Sequence, residues 1–297
     1  MRVNPNYSND MVNLMDQAQQ AEDTAAQQLS TGRRVSLPSD DPAAESAMIA
    51  ENSRATAADQ YTANSDSLKD VLNTANSTLS SVVTLLQRAV SLGVEGANGT
   101  MNQTDLSSIA TEVSNIKGQV LALANTSYAG QYLFSGTANT GAPYATDATN
   151  PQQIDYAGNS QQNQVQIGTG LSVSANLPGS SIFSQSGANV FDALQSLVTA
   201  LQSGTSSSIA TAQTSVSTAL GAVDTAQVFY GTTVNELTSN ETYLSQEKVN
   251  IATYQNTLVS SDTASAATQM TQAETALNAT VAAAAKINQV SLLDYLK

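Results

Sequence analysis

Apolar residues recur at alternating steps of three and four near both ends of the 297-residue chain. Near the N-terminus they are Val3, Tyr7, Met11, Leu14, Ala18, Ala21, Ala25 and Leu29. Near the C-terminus they are Met270, Ala273, Leu277, Ala284 and Ile287, with the polar Ser291 at the next seam position, followed by Leu292 and Leu293 in SLLDYLK. This heptad spacing predicts long helices that pair along narrow seams. A single amphipathic helix lying on a domain would explain one such segment, but the spacing occurs repeatedly.

Two longer segments keep the same spacing. The first places Ala50, Ala57, Tyr61, Leu68, Val71, Ala75, Val82, Leu86 and Ala89 on one seam, with Arg54 and Asn64 as polar members. The second places Val216, Leu220, Val223, Tyr230, Val234, Leu237, Leu244, Ile251, Tyr254 and Leu258 on another, with Gln227, Glu241 and Lys248 as polar members. At about 1.5 Å per residue, a helix over residues 42–92 is roughly 75 Å long, which predicts an elongated molecule.

The segment GRRVSLPSDDPAA, residues 32–44, interrupts the first pair of seams. The residues predicted to end, turn and restart the helix are Gly32, Arg33, Arg34, Pro38, Asp40, Asp41 and Pro42. Glycine ends helices, Pro38 prevents continuation, and Asp41 followed by Pro42 is a helix-start signal. We expect both arginines to form local ion pairs with the aspartate pair. Contact of an arginine with a neighbouring subunit is the alternative.

A second break, SSDTASAA at residues 260–267, gives the chain a mirrored layout. Helices of matched length in reverse order favour antiparallel arms, with the two breaks side by side. We therefore predict a mainly α-helical, elongated antiparallel coiled-coil bundle with a small β-rich insertion at its far end. The predicted domains are a terminal coiled coil at 1–38 and 262–297, a long-helix rod at 39–131 and 189–261, and a β-rich insertion at 132–188.

Short alternating runs such as QIDYAG and QVQIGTG indicate the β-rich insertion, because turn residues separate them. Four aromatic residues cluster where the preceding helix passes into it: Tyr128, Tyr132, Phe134 and Tyr144. Core packing is the favoured interpretation of this cluster, and a ligand-stacking platform is the alternative.

Composition argues against several functions. A net charge of −14 disfavours nucleic acid and anionic membrane surfaces as partners. The absence of Cys and His removes the usual parts of nucleophilic triads and zinc sites. Adjacent Asp40 and Asp41 are expected to serve the turn and the helix cap. The sequence therefore predicts a protein that is not an enzyme and that needs no cofactor or metal.

The terminal seams are rich in alanine and bury little apolar area, so we expect both termini to order only when neighbouring subunits complete the seams. Identical subunits with unsatisfied seams form rings or helical polymers. The predicted assembly residues are Val3, Tyr7, Met11, Leu14, Leu29, Met270, Leu277, Ile287, Leu292 and Leu293.

Three motifs resemble the bacterial flagellin superfamily: LSTGRRVSLPSDDPAA at 29–44, QYLFSGT at 131–137 and the closing SLLDYLK. The prolines that flank the Asp pair are similar to those of the hook–filament junction proteins within that superfamily. The resemblance covers roughly residues 1–137 and 205–297. The β-rich insertion departs from it.

The resemblance implies an extracellular structural protein of the flagellum, exported through the type III channel without a cleaved signal. Its implied partners are copies of itself in a ring-like layer, another hook-associated protein, flagellin, and a cytoplasmic export chaperone bound near residues 264–296. Arg54, Asn64 and Glu241 are candidates for limiting self-assembly. A short flagellin that builds the filament itself is the nearest alternative. A signalling coiled coil and an enzyme are more distant ones.

Overall fold

The computed structural model describes residues 7–138 and 141–294, with side chains described for 9–138 and 141–286. Its helices are α1 Tyr7–Thr31, α2 Pro42–Gly96, α3 Gln103–Ala124, α4 Gly179–Ile182, α5 Val190–Ser203, α6 Ser206–Val259 and α7 Thr263–Asp294. Its strands are β1 Ser127–Tyr128, β2 Gln131–Tyr132, β3 Tyr144–Thr146, β4 Ile154–Tyr156, β5 Gln164–Gly168 and β6 Leu171–Ser174. The prediction of a mainly helical chain with a β-rich segment in its middle is confirmed.

The strands form three separate antiparallel hairpins: β1 with β2, β3 with β4, and β5 with β6. The first hairpin begins at Ser127, a few residues before the predicted start of the insertion. Its two-residue turn is Ala129–Gly130, and both residues have positive φ, +49° and +81°. Such a turn matches the twist of a tight hairpin, but it normally carries glycine or asparagine at both positions. The sequence did not predict this hairpin, because Ala129 is not one of the residues that indicate such a turn.

The chain folds into two compact units. The first, called here the terminal unit, comprises the described residues up to Ala57 and those from Glu247 onward. The second, called here the central unit, spans Ala58–Gln246. Helices α2 and α6 contribute residues to both units.

In the terminal unit, α1 packs against α7. The two helices run antiparallel, since α1 ends and α7 begins at the two breaks, which pair with each other. The buried positions of this helix pair are Ala18 and Ala25 on α1, and Ala266 and Ala273 on α7. A small cluster of Val35, Ala44 and Val259 lies beside the breaks.

The central unit has a core of large side chains. Residues that α2, α3, α5 and α6 bury completely include Leu72, Leu79, Leu86, Val113, Val120, Leu194, Leu197, Val216 and Val223. Beside them, the rings of Tyr144 and Phe191 lie 5.1 Å apart, and those of Phe134 and Phe183 lie 5.3 Å apart. Full burial of each such side chain contributes about 1.5–3 kcal/mol, so this unit holds the main hydrophobic stabilisation of the chain.

The predicted seam of α2 holds only in part over its first half, where Ala57, Tyr61 and Asn64 are half-buried. Ala50 is exposed, whereas Glu51, Ala58 and Ser65 are buried, one position further along each heptad. From Leu68 onward the predicted residues are buried or half-buried. An ideal helix drifts by about 20° per heptad, and a face of Ala, Ser and Asn offers little to fix its orientation. The large leucines fix it in the second half.

Candidate assembly site

The first break begins with a left-handed glycine. Gly32 has φ +67°, and its N–H donates to Gln28 O at 2.9 Å, which closes the last turn of α1. Residues other than glycine adopt this conformation at a cost, so the predicted helix stop follows from local chemistry.

The two breaks pair with each other through backbone hydrogen bonds. Arg34 N donates to Val259 O at 2.7 Å, and Ser261 N donates to Gly32 O at 2.9 Å, around an antiparallel bridge between Arg33 and Ser260. The side-by-side placement of the breaks, predicted from the mirrored helix lengths, is therefore seen in the structure. Each break satisfies backbone groups that the other leaves free.

Arg34 reinforces this pairing with its side chain. One guanidinium nitrogen, Nη2, lies 3.0 Å from Asp41 Oδ2 and 3.0 Å from the carbonyl oxygen of Leu258. The contact with Asp41 is the predicted local ion pair. The contact with Leu258, at the end of α6, had no signal in the sequence because it links residues far apart in the chain.

Arg33 behaves differently from Arg34. Its side chain is exposed and forms no ion pair with any residue that the structure describes. The expected pairing of Arg33 with the aspartates is therefore wrong. Its backbone is held by the bridge to Ser260. The alternative, contact with a neighbouring subunit, remains a prediction.

The two aspartates organise the turn and the helix start. Asp41 Oδ1 accepts from Ala44 N at 3.0 Å, which caps α2 directly before Pro42. This hydrogen bond, followed by the one from Arg34, holds the pKa of Asp41 below its usual value. Asp40 Oδ2 accepts from Leu37 N and Ser36 N, which lowers the pKa of Asp40. Both carboxylates stabilise backbone geometry around the turn that contains Pro38.

The predicted seam of α1 differs from the one in the structure. The described side chains of α1 that are buried or half-buried are Met11, Met15, Ala18, Glu22, Ala25, Ala26 and Gln28, whereas Leu14 is 51% exposed and Leu29 is 40% exposed. On α7, Met270 and Leu277 are half-buried at the predicted spacing. Val3 lies outside the described residues, as do the side chains of Tyr7, Ile287, Leu292 and Leu293. The α1–α7 pair thus uses Met15 where the heptad pattern favoured Leu14.

Large apolar side chains are exposed mainly in the terminal unit. In the described part of the chain they are Val12, Leu14, Leu29, Leu37, Ile49, Val249, Tyr254 and Val281 in the terminal unit, and Val94, Tyr128, Leu171, Val228 and Tyr243 in the central unit. The terminal unit is the smaller of the two, yet it holds most of them. These exposed side chains of the terminal unit are candidates for contact with another protein.

The three polar seam residues named as candidates for limiting self-assembly form contacts within their own unit. Arg54 pairs with Glu51 at 3.0 Å and with Glu247 at 2.5 Å. Asn64 donates to Gln166 O at 2.9 Å, and Glu241 pairs with Lys69 at 2.5 Å. A role of these residues in limiting self-assembly, which stays a prediction, would therefore act through the internal structure of each unit.

The described residues offer neither a metal-ligand cluster nor a membrane-spanning helix. Within residues 7–138 and 141–294, no group of three or more His, Cys, Asp or Glu residues could hold a metal ion. Over the same residues, no helix has the length and apolar character needed to cross a membrane.

The sequence is similar to proteins of the bacterial flagellum. The profile of the bacterial flagellin N-terminal helical region matches residues 3–140, and that of the flagellin C-terminal helical region matches residues 213–296. Flagellar hook-associated protein 3 of Escherichia coli (strain K12) is 29% identical over 301 residues, which cover 91% of this chain and 92% of the relative.

Solved structures share the fold. The flagellar junction protein FlgL from Legionella pneumophila superposes with a TM-score of 0.61 at 16% identity, covering 72% of this chain and 100% of that chain. FlgL from Bacillus cereus superposes with a TM-score of 0.60 at 24% identity, covering 70% of this chain and 99% of that chain.

Proposed function

Because the chain belongs to the bacterial flagellin family, we propose that it is a structural subunit of the flagellum that forms the junction layer between a hook-associated protein and the flagellin filament. The observation that carries the proposal is the match to flagellar hook-associated protein 3, which extends over 91% of the chain. The match includes the β-rich segment, which lies outside both flagellin profiles for most of its length. A short flagellin that forms the filament is the alternative.

The terminal unit supports a role in assembly. Its helix pair buries mainly alanine, while Val12, Leu14 and Leu29 of α1 stay exposed. Neighbouring subunits would cover these side chains and add the apolar contacts that α7 does not supply. We therefore assign residues 1–38 and 262–297 to contacts between subunits, and we expect the terminal helices to gain most of their order on assembly.

The proposed partners follow from this position in the flagellum. They are copies of the same chain in a ring-like layer, a hook-associated protein on one side and flagellin on the other. A cytoplasmic chaperone would cover residues near 264–296 before export, because α7 exposes Val281. The protein would act outside the cell after export without a cleaved signal.

No catalytic role is part of the proposal. The adjacent carboxylates Asp40 and Asp41 accept backbone hydrogen bonds that fix the turn and the start of α2. A structural subunit needs these two groups as caps rather than as acids or bases.

The proposal is tested by assembly experiments with the purified full chain. Sedimentation and electron microscopy should show no long filaments from the protein alone. The protein should cap fragments that end in the preceding hook-associated protein and then allow flagellin to add. Long filaments grown from this protein alone would favour the flagellin alternative.

Two matched variants test whether the assembly surface lies on the terminal unit. Leu14→Glu places a charge on an exposed position of α1 and should abolish capping, because burying an unpaired carboxylate in a subunit interface is unfavourable. Val228→Glu makes the same change at a 64% exposed position of the central unit and should leave capping intact. Equal loss in both variants would contradict the assignment to the terminal unit.

A further inference from the structure

The structure divides the four clustered aromatic residues into two pairs. Phe134 and Tyr144 are buried, and Tyr144 packs against Phe183 and Phe191. Tyr128 is 36% exposed and Tyr132 is half-buried, and both line an open cleft. Core packing therefore accounts for one pair, and the other pair faces solvent.

The cleft lies within the central unit, between α2, the β1–β2 hairpin and the β5–β6 hairpin. Its volume is about 390 Å³, within the range of roughly 300–1,000 Å³ that is common for small-molecule sites. The apolar residues that line it are Leu68, Val71, Leu133, Val165 and Ala175. Tyrosines and side-chain amides supply its polar groups.

Four side-chain amides line the cleft: two form hydrogen bonds within the protein, and two form none with a described residue. Asn64 donates to Gln166 O, and Asn176 donates to Gly136 O, so these side chains hold the walls in place. Gln131 and Asn163 also line the cleft. Among the described residues, no group accepts from or donates to either of their side-chain amides, and the same holds for the Tyr128 hydroxyl.

The charge of the lining selects the class of ligand. None of the described residues that line the cleft is Asp, Glu, Lys or Arg. A cation would find no carboxylate, and an anion would be repelled by a chain with a net charge of −14. The ligand that fits is neutral, has several hydrogen-bonding groups and carries apolar C–H faces.

We propose that this cleft binds a neutral saccharide of one or two sugar units. The rings of Tyr128 and Tyr132 would contact the C–H faces of a pyranose, since aromatic side chains combine a large apolar face with a polar group. The amides of Gln131 and Asn163 would each offer a donor and an acceptor to sugar hydroxyls.

Backbone strain lies at the turn that presents these groups. Ala129 adopts φ +49°, the single positive φ among the described non-glycine residues, and it separates Tyr128 from the Gly130–Gln131 pair. Tyr128 and Gln131 are direct partners in the hairpin register. Strained residues of this kind cluster at binding sites, because the surrounding structure maintains a required geometry. The turn thus sets a tyrosine and a free amide side by side.

The test uses the full chain, labelled with ¹⁵N and titrated with glucose, galactose and N-acetylglucosamine. Concentrations should reach about 10 mM, above the roughly 1 mM Kd expected of a weak site. We expect saturable shifts of the side-chain amide signals of Gln131 and Asn163. Glucuronic acid and glucosamine, which carry charge, should bind more weakly than their neutral counterparts.

Variants decide whether the cleft is responsible. Tyr128→Ala and Gln131→Ala should each weaken binding by about five- to tenfold, and Tyr128→Phe should lose less because the ring remains. Tyr243→Ala removes a 63% exposed tyrosine elsewhere and should leave Kd unchanged. Absence of saturable shifts with every neutral sugar, stronger binding of the charged sugars, or equal Kd in the wild type, Tyr128→Ala and Gln131→Ala would overturn the proposal.

Discussion

The two units use the same heptad spacing with different side chains. In the central unit the inward positions hold residues such as Leu72, Leu194 and Tyr230, each at most 1% exposed. In the α1–α7 pair they hold alanines such as Ala25 and Ala266, flanked by half-buried methionine and leucine. Full burial of a large apolar side chain contributes about 1.5–3 kcal/mol, and alanine contributes far less.

The spacing of apolar residues determines where helices pack together. Side-chain volume determines whether that packing stabilises the helices without further contacts. Isolated helices are costly to nucleate, so tertiary packing supplies most of their stability. The central unit supplies that packing from its own residues. The terminal pair leaves apolar side chains exposed, and we propose that contacts with neighbouring subunits supply the packing that it lacks.

The largest expected difference in stability is between a core substitution in the central unit and a seam substitution in the α1–α7 pair. Phe191→Ala should lower the free energy of unfolding of the central unit by about 3–5 kcal/mol, because a fully buried ring is lost and a cavity remains. Leu277→Ala, at a half-buried position of α7, should lower the stability of the free protein by less than about 1.5 kcal/mol. Urea denaturation followed by circular dichroism measures both. Losses of equal size would show that the terminal pair is as self-sufficient as the core.

An intermediate effect is expected at Tyr230, which links α6 to the segment after β6. Leu177 N donates to its hydroxyl oxygen at 3.1 Å, and burial raises the pKa of Tyr230 from 10.0 to about 12. Tyr230→Phe leaves the Leu177 N–H without this acceptor, so stability at neutral pH should fall by about 1–2 kcal/mol.

Because of this raised pKa, Tyr230 makes the stability of the folded protein depend on pH in the alkaline range. The folded state favours neutral Tyr230, so its stabilising contribution is complete below pH 10.0 and is lost as pH rises through about 12. Tyr230→Phe should therefore weaken the alkaline loss of stability, whereas Tyr243→Phe, at an exposed position, should not. Urea titrations at neutral and alkaline pH measure the difference. An unchanged alkaline profile in Tyr230→Phe would contradict this assignment.

A smaller effect is expected at the paired breaks of the terminal unit. Arg34→Ala removes the contacts with Asp41 and with the Leu258 carbonyl, so the Ser261 N–H should exchange with solvent faster. Arg33→Ala removes a neighbouring arginine that has no ion pair with a described residue, and it should leave that exchange rate unchanged. Hydrogen exchange monitored by NMR distinguishes the two. Faster exchange in both variants would assign the effect to overall charge.

Low pH should weaken the structure around the same paired breaks. The hydrogen bonds that Asp40 and Asp41 accept keep the pKa of each below 3.8 in the folded state. Their contribution is therefore present above that pH and is lost as pH falls through the lowered values. Asp41→Asn should reduce this dependence.

The smallest expected effect has the opposite sign. Ala129→Gly relieves a left-handed conformation that costs roughly 1–2 kcal/mol in a residue with a Cβ. It also adds about 0.4–1 kcal/mol of unfolded-state entropy, so the central unit should gain less than about 1.5 kcal/mol of stability. Ala145→Gly, in strand β3, should instead destabilise the protein by about 0.5–1 kcal/mol. Destabilisation by Ala129→Gly would argue against strain at this turn.

The sequence by itself determined the features that depend on local chemistry. Gly32 ends α1, and Asp41 and Pro42 start α2, because backbone conformation and capping involve residues close together in the chain. The mirrored helix lengths were enough to predict that the breaks lie side by side. The β-rich segment followed from its turn residues, except at Ala129, which occupies a conformation that alanine seldom adopts.

Only the tertiary structure decided which face of each helix turns inward. Leu14 and Met15 are both apolar, yet Leu14 is exposed and Met15 is half-buried, and α2 buries Glu51 and Ser65 in place of the alanine and asparagine beside them. Likewise, Tyr144 is buried and Tyr128 lines a cleft, although both stand in the same aromatic cluster. Faces of similar hydropathy compete within one helix, and the choice between them depends on the shape and volume of the surface that packs against it. That surface comes from residues distant in the chain, so its influence is absent from the local pattern.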